Sequence, residues 1–168
     1  SSSVGHLLTL INPDDVLRGK WSFNNLPAIP EKGFDLKPID KRGEARLKML
    51  LKLIKRKDID LIINACDAGR EGELIFRYIM QYAKSKKPVK RLWLQSMTKQ
   101  AIITAFENMR DDESMKGLEA AARSRAEADW LIGINGTRAM TAFNSKDGGF
   151  FKTPIGRVQT PTLGIVCE

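Results

Sequence analysis

The stretch from Leu61 to Arg77 constrains the fold most, because its hydrophobic period changes from that of a strand to that of a helix within a few residues. It reads L-I-I-N-A-C-D-A-G-R-E-G-E-L-I-F-R. The apolar run at its start predicts a buried strand that ends at Asp67, and Gly69 and Gly72 then allow a tight turn. After the turn, apolar residues recur at helical spacing, at Leu74, Ile75, Tyr78, Ile79 and Tyr82.

Three acids and one arginine lie where this strand leads into the helix: Asp67, Glu71, Glu73 and Arg70. In open α/β sheets, ligands bind outside the carboxyl ends of the strands. Carboxylates there would repel a bare phosphate, but they suit a hard divalent cation such as Mg²⁺, which bridges to phosphate. Alternatively, these are ordinary first-turn acids, which interact favourably with the helix dipole. Spacing alone leaves both interpretations open.

The charge balance of the chain favours a polyanionic partner. Its 168 residues include 28 Lys and Arg against 20 Asp and Glu, a net charge of +8. Such an excess is typical of nucleic-acid binding, although a solvated basic surface is the alternative. The two cysteines, Cys66 and Cys167, are far apart, which predicts neither a zinc site nor a disulfide framework and fits the cytoplasm. We find no apolar run long enough for a membrane span and no signal peptide.

Helical and strand periods alternate up to about residue 112. Helices are expected at 43–57, 71–84 and 115–143 and after the capping residues Thr98 and Thr160, with strands at 60–66 and 89–94. This order predicts an α/β domain with a mostly parallel sheet over residues 1–112. A polar break at 111–114 predicts a boundary, with a helical segment over 113–168. Because the chain lacks an initiator Met, we expect it to be part of a longer protein.

The segment D-A-G-R-E-G-E at 67–73 resembles the D-x-D-R-E-G-E signature of the Toprim domain in type IA DNA topoisomerases, particularly the topoisomerase III branch. Further segments resemble the same enzymes in the family's order. They are S-V-G-H-L at 3–7, R-L-W-L-Q-S-M-T at 91–98, R-S-R-A-E-A-D-W-L-I-G-I-N-G-T-R-A at 123–139 and G-R-V-Q-T-P-T-L at 156–163. The resemblance therefore covers nearly the whole chain, and it implies a Toprim-like sheet flanked by helices, followed by the start of a helical DNA-binding domain.

The resemblance also implies an activity. Type IA enzymes relax or decatenate DNA by cutting one strand through a 5′-phosphotyrosyl link and passing another strand through the gap. By motif position, Asp67 and Glu71 would be the catalytic acids and the ligands of Mg²⁺, and Arg70 would lie near the scissile phosphate. The residues implied to contact single-stranded DNA, or to support that site in the case of Arg91, are His6, Arg91, Arg125, Asp129, Arg157 and Gln159.

Two departures from the family pattern matter. Gly69 stands where the commoner signature has its second Asp, so one metal-binding carboxylate is absent. The family's first-strand glutamate is expected before Ser1, and its nucleophilic tyrosine after Glu168. The tyrosines of this chain, Tyr78 and Tyr82, are expected to be core residues, so we expect the chain alone not to cleave DNA.

Two other functions stay open as alternatives. One is a Toprim primase or nuclease, although such proteins lack the G-R-V-Q-T and R-S-R-A-E-A-D-W segments. The other is a non-catalytic module that binds single-stranded DNA. A Mg²⁺ titration separates the second from an enzyme, because a binding module would show no metal effect at Asp67 or Glu71.

Overall fold

A computed structural model of the chain describes residues 3, 5–12, 21–31 and 33–167. These residues divide into two compact units. The first, here called the α/β unit, takes residues 1–9 and 36–124, and the second, the helical unit, takes residues 10–35 and 125–168. The predicted boundary at residues 112–113 separates the two domains of the family, which need not coincide with these two compact units. It stays a prediction.

The α/β unit contains a three-stranded sheet with the order β3 (Ile62–Asn64), β4 (Val89–Arg91) and β5 (Arg110–Asp111). Strands β3 and β4 are parallel, with Ile62 opposite Val89, and β4 and β5 are antiparallel. The α/β class is therefore confirmed, with a mixed sheet. Strand β5 overlaps the expected polar break. It was not predicted from the sequence, because two residues are too few to give a periodic pattern. A second sheet pairs β1 (Leu8–Leu10) with β2 (Leu36–Pro38).

Each helix that the sequence predicts is present in the described residues, but the last one begins at Gln159, so Thr160 lies inside it and its predicted capping position is wrong. The helices are α1 (Lys41–Ile54), α2 (Arg70–Ala83), α3 (Lys99–Glu107), α4 (Lys116–Asn144) and α5 (Gln159–Cys167). The predicted cap of α3 is confirmed, since the Thr98 hydroxyl accepts a hydrogen bond from the Ala101 amide at 3.3 Å. Helix α1 begins two residues earlier than predicted, because the Asp40 carboxylate caps it by accepting from the Gly43 amide.

Helix α2 buries an apolar stripe in the α/β unit. The stripe contains Leu74, Phe76, Tyr78, Ile79 and Ala83. Tyr78 is 4% exposed, which confirms it as a core residue, but Tyr82 is 39% exposed and its predicted core position is wrong. At 100° per residue, Tyr82 lies inside the arc of the stripe, on the same side of the helix as the half-buried Ile75, so helical spacing alone could not reveal its exposure.

Strand β3 is at one edge of the three-stranded sheet. This part of the chain is less buried than the sequence predicts, since Leu61, just before the strand, is 41% exposed and Ile63, within it, is 39% exposed. Together with apolar residues of α1 and α2, they line a groove beside this edge.

A buried charge cluster links the elements of the α/β unit. Glu73 is fully buried, and its Oε1 accepts from Arg77 Nε at 2.7 Å. Its Oε2 accepts from Asn64 Nδ2 at 3.1 Å and lies 3.3 Å from Arg91 Nε. Arg77 also pairs with Asp112 at 2.7 Å and with Glu119 at 3.2 Å. The cluster therefore joins β3, β4 and α2 to the beginning of α4.

We predict that Glu73→Ala lowers the free energy of unfolding by about 3–5 kcal/mol, because it leaves the buried guanidinium of Arg91 without its carboxylate and removes one of the three carboxylates around Arg77. Urea denaturation of the chain measures the change. Glu71→Ala is the matched control, since it removes the same side chain from the same helix at a position where that side chain is 70% exposed. Equal destabilisation by the two variants would contradict a structural role for the buried carboxylate.

Candidate active site

The candidate active site is the acid turn, defined as residues 65–71, which joins β3 to the first turn of α2. The Asn64 side chain accepts a hydrogen bond from the Cys66 amide at 3.1 Å, which directs the chain away from the sheet. Gly69 precedes α2 in an extended conformation, and its carbonyl accepts from the Glu73 amide at 3.1 Å. The turn therefore places Asp67 beyond the carboxyl end of a parallel strand, as the sequence predicts.

The turn packs closely against the helix that follows it. A Cβ atom at Gly72 would overlap the Asp67 carbonyl and lie 2.7 Å from the Asp67 nitrogen. Only glycine leaves room for this approach of backbone to helix. At Gly69, by contrast, no atom lies within 4 Å of an ideal Cβ, so the position that lacks the family's second Asp has space for a side chain.

The side chains of the acid turn that were predicted to be catalytic all face solvent. Asp67, Arg70 and Glu71 are exposed. His6, predicted to lie near phosphate, has its Nε2 2.8 Å from Glu71 Oε2. Because an ionised carboxylate only accepts hydrogen bonds, Nε2 carries the proton and donates it. The α/β unit thus brings His6, which is distant in sequence, to one of the two predicted metal ligands.

Arg91 lies beneath the acid turn rather than on its surface. It is 1% exposed, and its Nη1 donates to the carbonyl oxygens of Asn64 at 2.9 Å and Cys66 at 2.7 Å. Its Nη2 donates to the Asp67 carbonyl at 2.7 Å. Burial lowers the pKa of Arg91, against the attraction of Glu73. The expected supporting role agrees with these contacts, while direct contact with DNA stays a prediction.

The donor chemistry of the acid turn fits Mg²⁺. The described residues contain no group of three or more His, Cys, Asp or Glu side chains placed to hold a metal ion. Mg²⁺ commonly uses only one or two protein carboxylates, however, and completes its octahedral shell with water and phosphate oxygens. Asp67 and Glu71 offer two exposed carboxylates of this kind.

In the helical unit, three of the four predicted DNA-binding residues form one ionic cluster. Arg157 Nε donates to Asp129 Oδ1 at 2.6 Å, and Arg125 Nε lies 3.7 Å from Asp129 Oδ2. The hydrogen bond from Arg157 lowers the pKa of Asp129. Gln159 is exposed and begins α5, two residues after Arg157. Asp129 therefore orients two exposed arginines on the surface of this unit.

Asn135, Gly136 and Thr137 of α4 form a packing feature within the helical unit. The Asn135 side chain accepts from the Ala28 amide at 2.6 Å and donates to the Ala28 carbonyl at 3.1 Å. A Cβ at Gly136 would lie 2.7 Å from Ile155 Cγ2, and the Thr137 hydroxyl accepts from the Ile155 amide at 2.9 Å. These residues anchor two loops to α4 within the helical unit.

Sequence reasoning missed the role of Glu73, which it treated as a third acid of the turn. No spacing rule relates Glu73 to Arg91, because the two residues are on different elements and meet only in the folded unit. The one available signal was position, since Glu73 falls next to the predicted apolar stripe of α2, where an unpaired carboxylate would be unfavourable.

We predict that Gly72→Ala destabilises the chain by roughly 1–3 kcal/mol or more, because its methyl group forces the Asp67 backbone away from α2. The free energy of unfolding measured in urea tests this. Gly69→Ala is the matched control, since its methyl group meets open space, and it should change stability far less. A Gly72→Ala variant as stable as the Gly69→Ala variant would contradict the close approach.

The described part of the chain has no helix with the length and apolarity needed to cross a membrane.

Comparison with known proteins relates both units to one family. A family model described as DNA topoisomerase matches residues 113–168. Over 99% of its length, the chain is 42% identical to a DNA topoisomerase 3 of Bacillus cereus, 43% to that of Bacillus licheniformis and 42% to that of Bacillus subtilis. It spans 22% of the length of each relative. Over nearly its whole length, the chain is therefore similar to one part of the DNA topoisomerase 3 proteins, and its last third matches the DNA topoisomerase family model.

Proposed function

We propose that this chain supplies the acid-turn part of a Mg²⁺-dependent type IA DNA topoisomerase, which relaxes or decatenates DNA by transient cleavage of one strand and passage of another. The observation that carries the proposal is the geometry of the acid turn. Asp67, Arg70 and Glu71 are exposed together at the carboxyl end of a parallel strand, on a backbone fixed from below by Arg91. Similarity to topoisomerases along 99% of the chain supports the same reaction.

Each exposed residue of the turn has a distinct role in this proposal. Asp67 and Glu71 hold Mg²⁺, which when bound neutralises negative charge on the phosphate oxygens. Arg70 binds the scissile phosphate through its guanidinium group, whose planar donors match phosphate oxygens. His6 donates to one oxygen of Glu71 and so limits the orientations of that carboxylate.

The nucleophilic tyrosine comes from another part of the enzyme. Tyr78 is 4% exposed and cannot reach a phosphate. Tyr82 is on the same helix as Glu71 but about 16 Å further along the helix axis, at 1.5 Å per residue. Without this tyrosine, the chain by itself binds DNA and does not form a covalent adduct with it.

The helical unit contributes to a groove for single-stranded DNA. Arg125 and Arg157 would neutralise phosphates, Asp129 would keep both oriented, and Gln159 would add a neutral hydrogen-bonding group. Binding through phosphates tolerates sequence and weakens with salt. The net charge of +8 supports this mode. The thiols of Cys66 and Cys167 are both free, which suits the reducing cytoplasm.

The proposal predicts that Asp67→Asn and Glu71→Gln, made in the enzyme that contains this chain, each slow the relaxation of negatively supercoiled plasmid at least ~100-fold, because each removes a charge that acts on the reacting phosphate. Thermal unfolding should be unchanged, since both side chains are exposed. The control is Asp60→Asn, which removes an exposed carboxylate before β3, at the opposite end of the same strand. Relaxation at the unmodified rate by both turn variants would refute the proposal.

A second prediction concerns the missing carboxylate. Gly69→Asp should lower the Mg²⁺ concentration needed for half-maximal relaxation several-fold, because the position is extended, open and adjacent to the acids. Gly69→Asn is the matched control, since Asn caps a helix as well as Asp does but lacks the charge. The same Mg²⁺ requirement in both variants would show that this position does not act on the metal.

A further inference from the structure

We infer that Glu73 is a positioning residue for Asp67: it fixes the guanidinium of Arg91, which in turn fixes the backbone of the acid turn. The inference rests on the proposed function, because it assigns Glu73 to the support of a residue that is proposed to bind the metal. It also separates Glu73 from the acids with which it shares a motif.

The first step is that Glu73 has no oxygen to offer a cation. Its side chain is fully buried, and each of its oxygens already has a partner. Oε1 accepts from Arg77 Nε at 2.7 Å. Oε2 accepts from Asn64 Nδ2 at 3.1 Å and pairs with Arg91 Nε at 3.3 Å. A metal ligand in this place would have to break the pairing of two arginines.

The second step is that Arg91 uses the other two nitrogens of its guanidinium on the acid turn, on Asn64 just before it and, through Nη1, on the Leu92 carbonyl at 3.1 Å. Nη1 donates to the carbonyls of Asn64 and Cys66, and Nη2 donates to the carbonyl of Asp67 at 2.7 Å. Arginine alone can do this, because its donors have a fixed planar arrangement. Nε of Arg91 therefore faces Glu73, while Nη1 and Nη2 hold the carbonyls of the consecutive residues Cys66 and Asp67.

The third step is that the turn has few other restraints. Ala65 and Asp67 are both exposed to solvent. The hydrogen bond from the Cys66 amide to Asn64 and the close approach at Gly72 restrain its two ends. The carbonyl oxygens of residues 66 and 67 accept their described hydrogen bonds from Arg91.

The decisive variant is Arg91→Lys, which keeps a positive charge but has its three donors on a single nitrogen, so it cannot serve Glu73 and the carbonyls of residues 64, 66 and 67 together. We expect hydrogen exchange in the metal-free chain to become at least ~10-fold faster at residues 66–71 and to stay unchanged in α1. The control is Asp112→Asn, which removes the charge of a different partner in the same cluster, 2.7 Å from Arg77 and outside the acid turn. It should leave exchange in the turn unchanged.

The second readout is metal binding, followed by NMR at the amides of Asp67 and Glu71 during a Mg²⁺ titration. Loss of an outer partner of a metal ligand typically weakens binding by about 10–100-fold, and we expect that range for Arg91→Lys and no change for Asp112→Asn. If Arg91→Lys does not fold, Glu73→Gln replaces it, because Gln keeps the volume of the side chain but removes its charge and one of its two acceptor oxygens.

Exchange in the turn that is as slow in a folded Arg91→Lys or Glu73→Gln variant as in the unmodified chain would overturn the inference. Equal loosening of the turn by Asp112→Asn would also overturn it, because the effect would then be one of general stability. If the unmodified chain shows no response to Mg²⁺, the proposed function fails, while the metal-free exchange comparison still decides the role of Glu73.

Discussion

The buried ion pair between Glu73 and Arg91 is the interaction on which the α/β unit depends. A carboxylate that is fully removed from water is tolerated only when charge and hydrogen bonds compensate it. Here the compensation comes from β3, β4 and α2 at the same time, through Asn64, Arg91 and Arg77. These three elements must therefore keep one relative arrangement to satisfy this charge. The pair restrains how β3, β4 and α2 are placed against one another, and it also stabilises the unit.

The motif at residues 67–73 consequently combines two physical environments in a short span. Asp67, Arg70 and Glu71 face solvent, where charged groups can meet a phosphate or a cation. Gly72 and Glu73 face inward, where one must be small and the other must be paired. This division is lost when the motif is interpreted only as a set of metal ligands. The exposure of each side chain depends on its position around the helix and not on its residue type.

The helices and the α/β class could be predicted from sequence because they follow from local periodicity. The stripe of α2 and the Thr98 cap are examples, since each depends on residues within one or two turns. Strand β5 could not be predicted, because its two residues are defined by their partner β4. The contact of His6 with Glu71 and the burial of Arg91 required the fold itself, since both join residues that are distant in sequence. The resemblance to a known family identified the acid turn but said nothing about what holds it.

Strand β3 carries the acid turn, and it also forms an edge of the described sheet with apolar side chains exposed at Leu61 and Ile63. An unpaired edge of this kind is a template for another strand, from the same protein or from a second copy. Self-association through this edge would bury the very strand end from which Asp67 projects. If two copies pair through this edge, the site becomes less accessible as protein concentration rises, so dilute samples are the appropriate ones for observing the acid turn in its solvent-facing state.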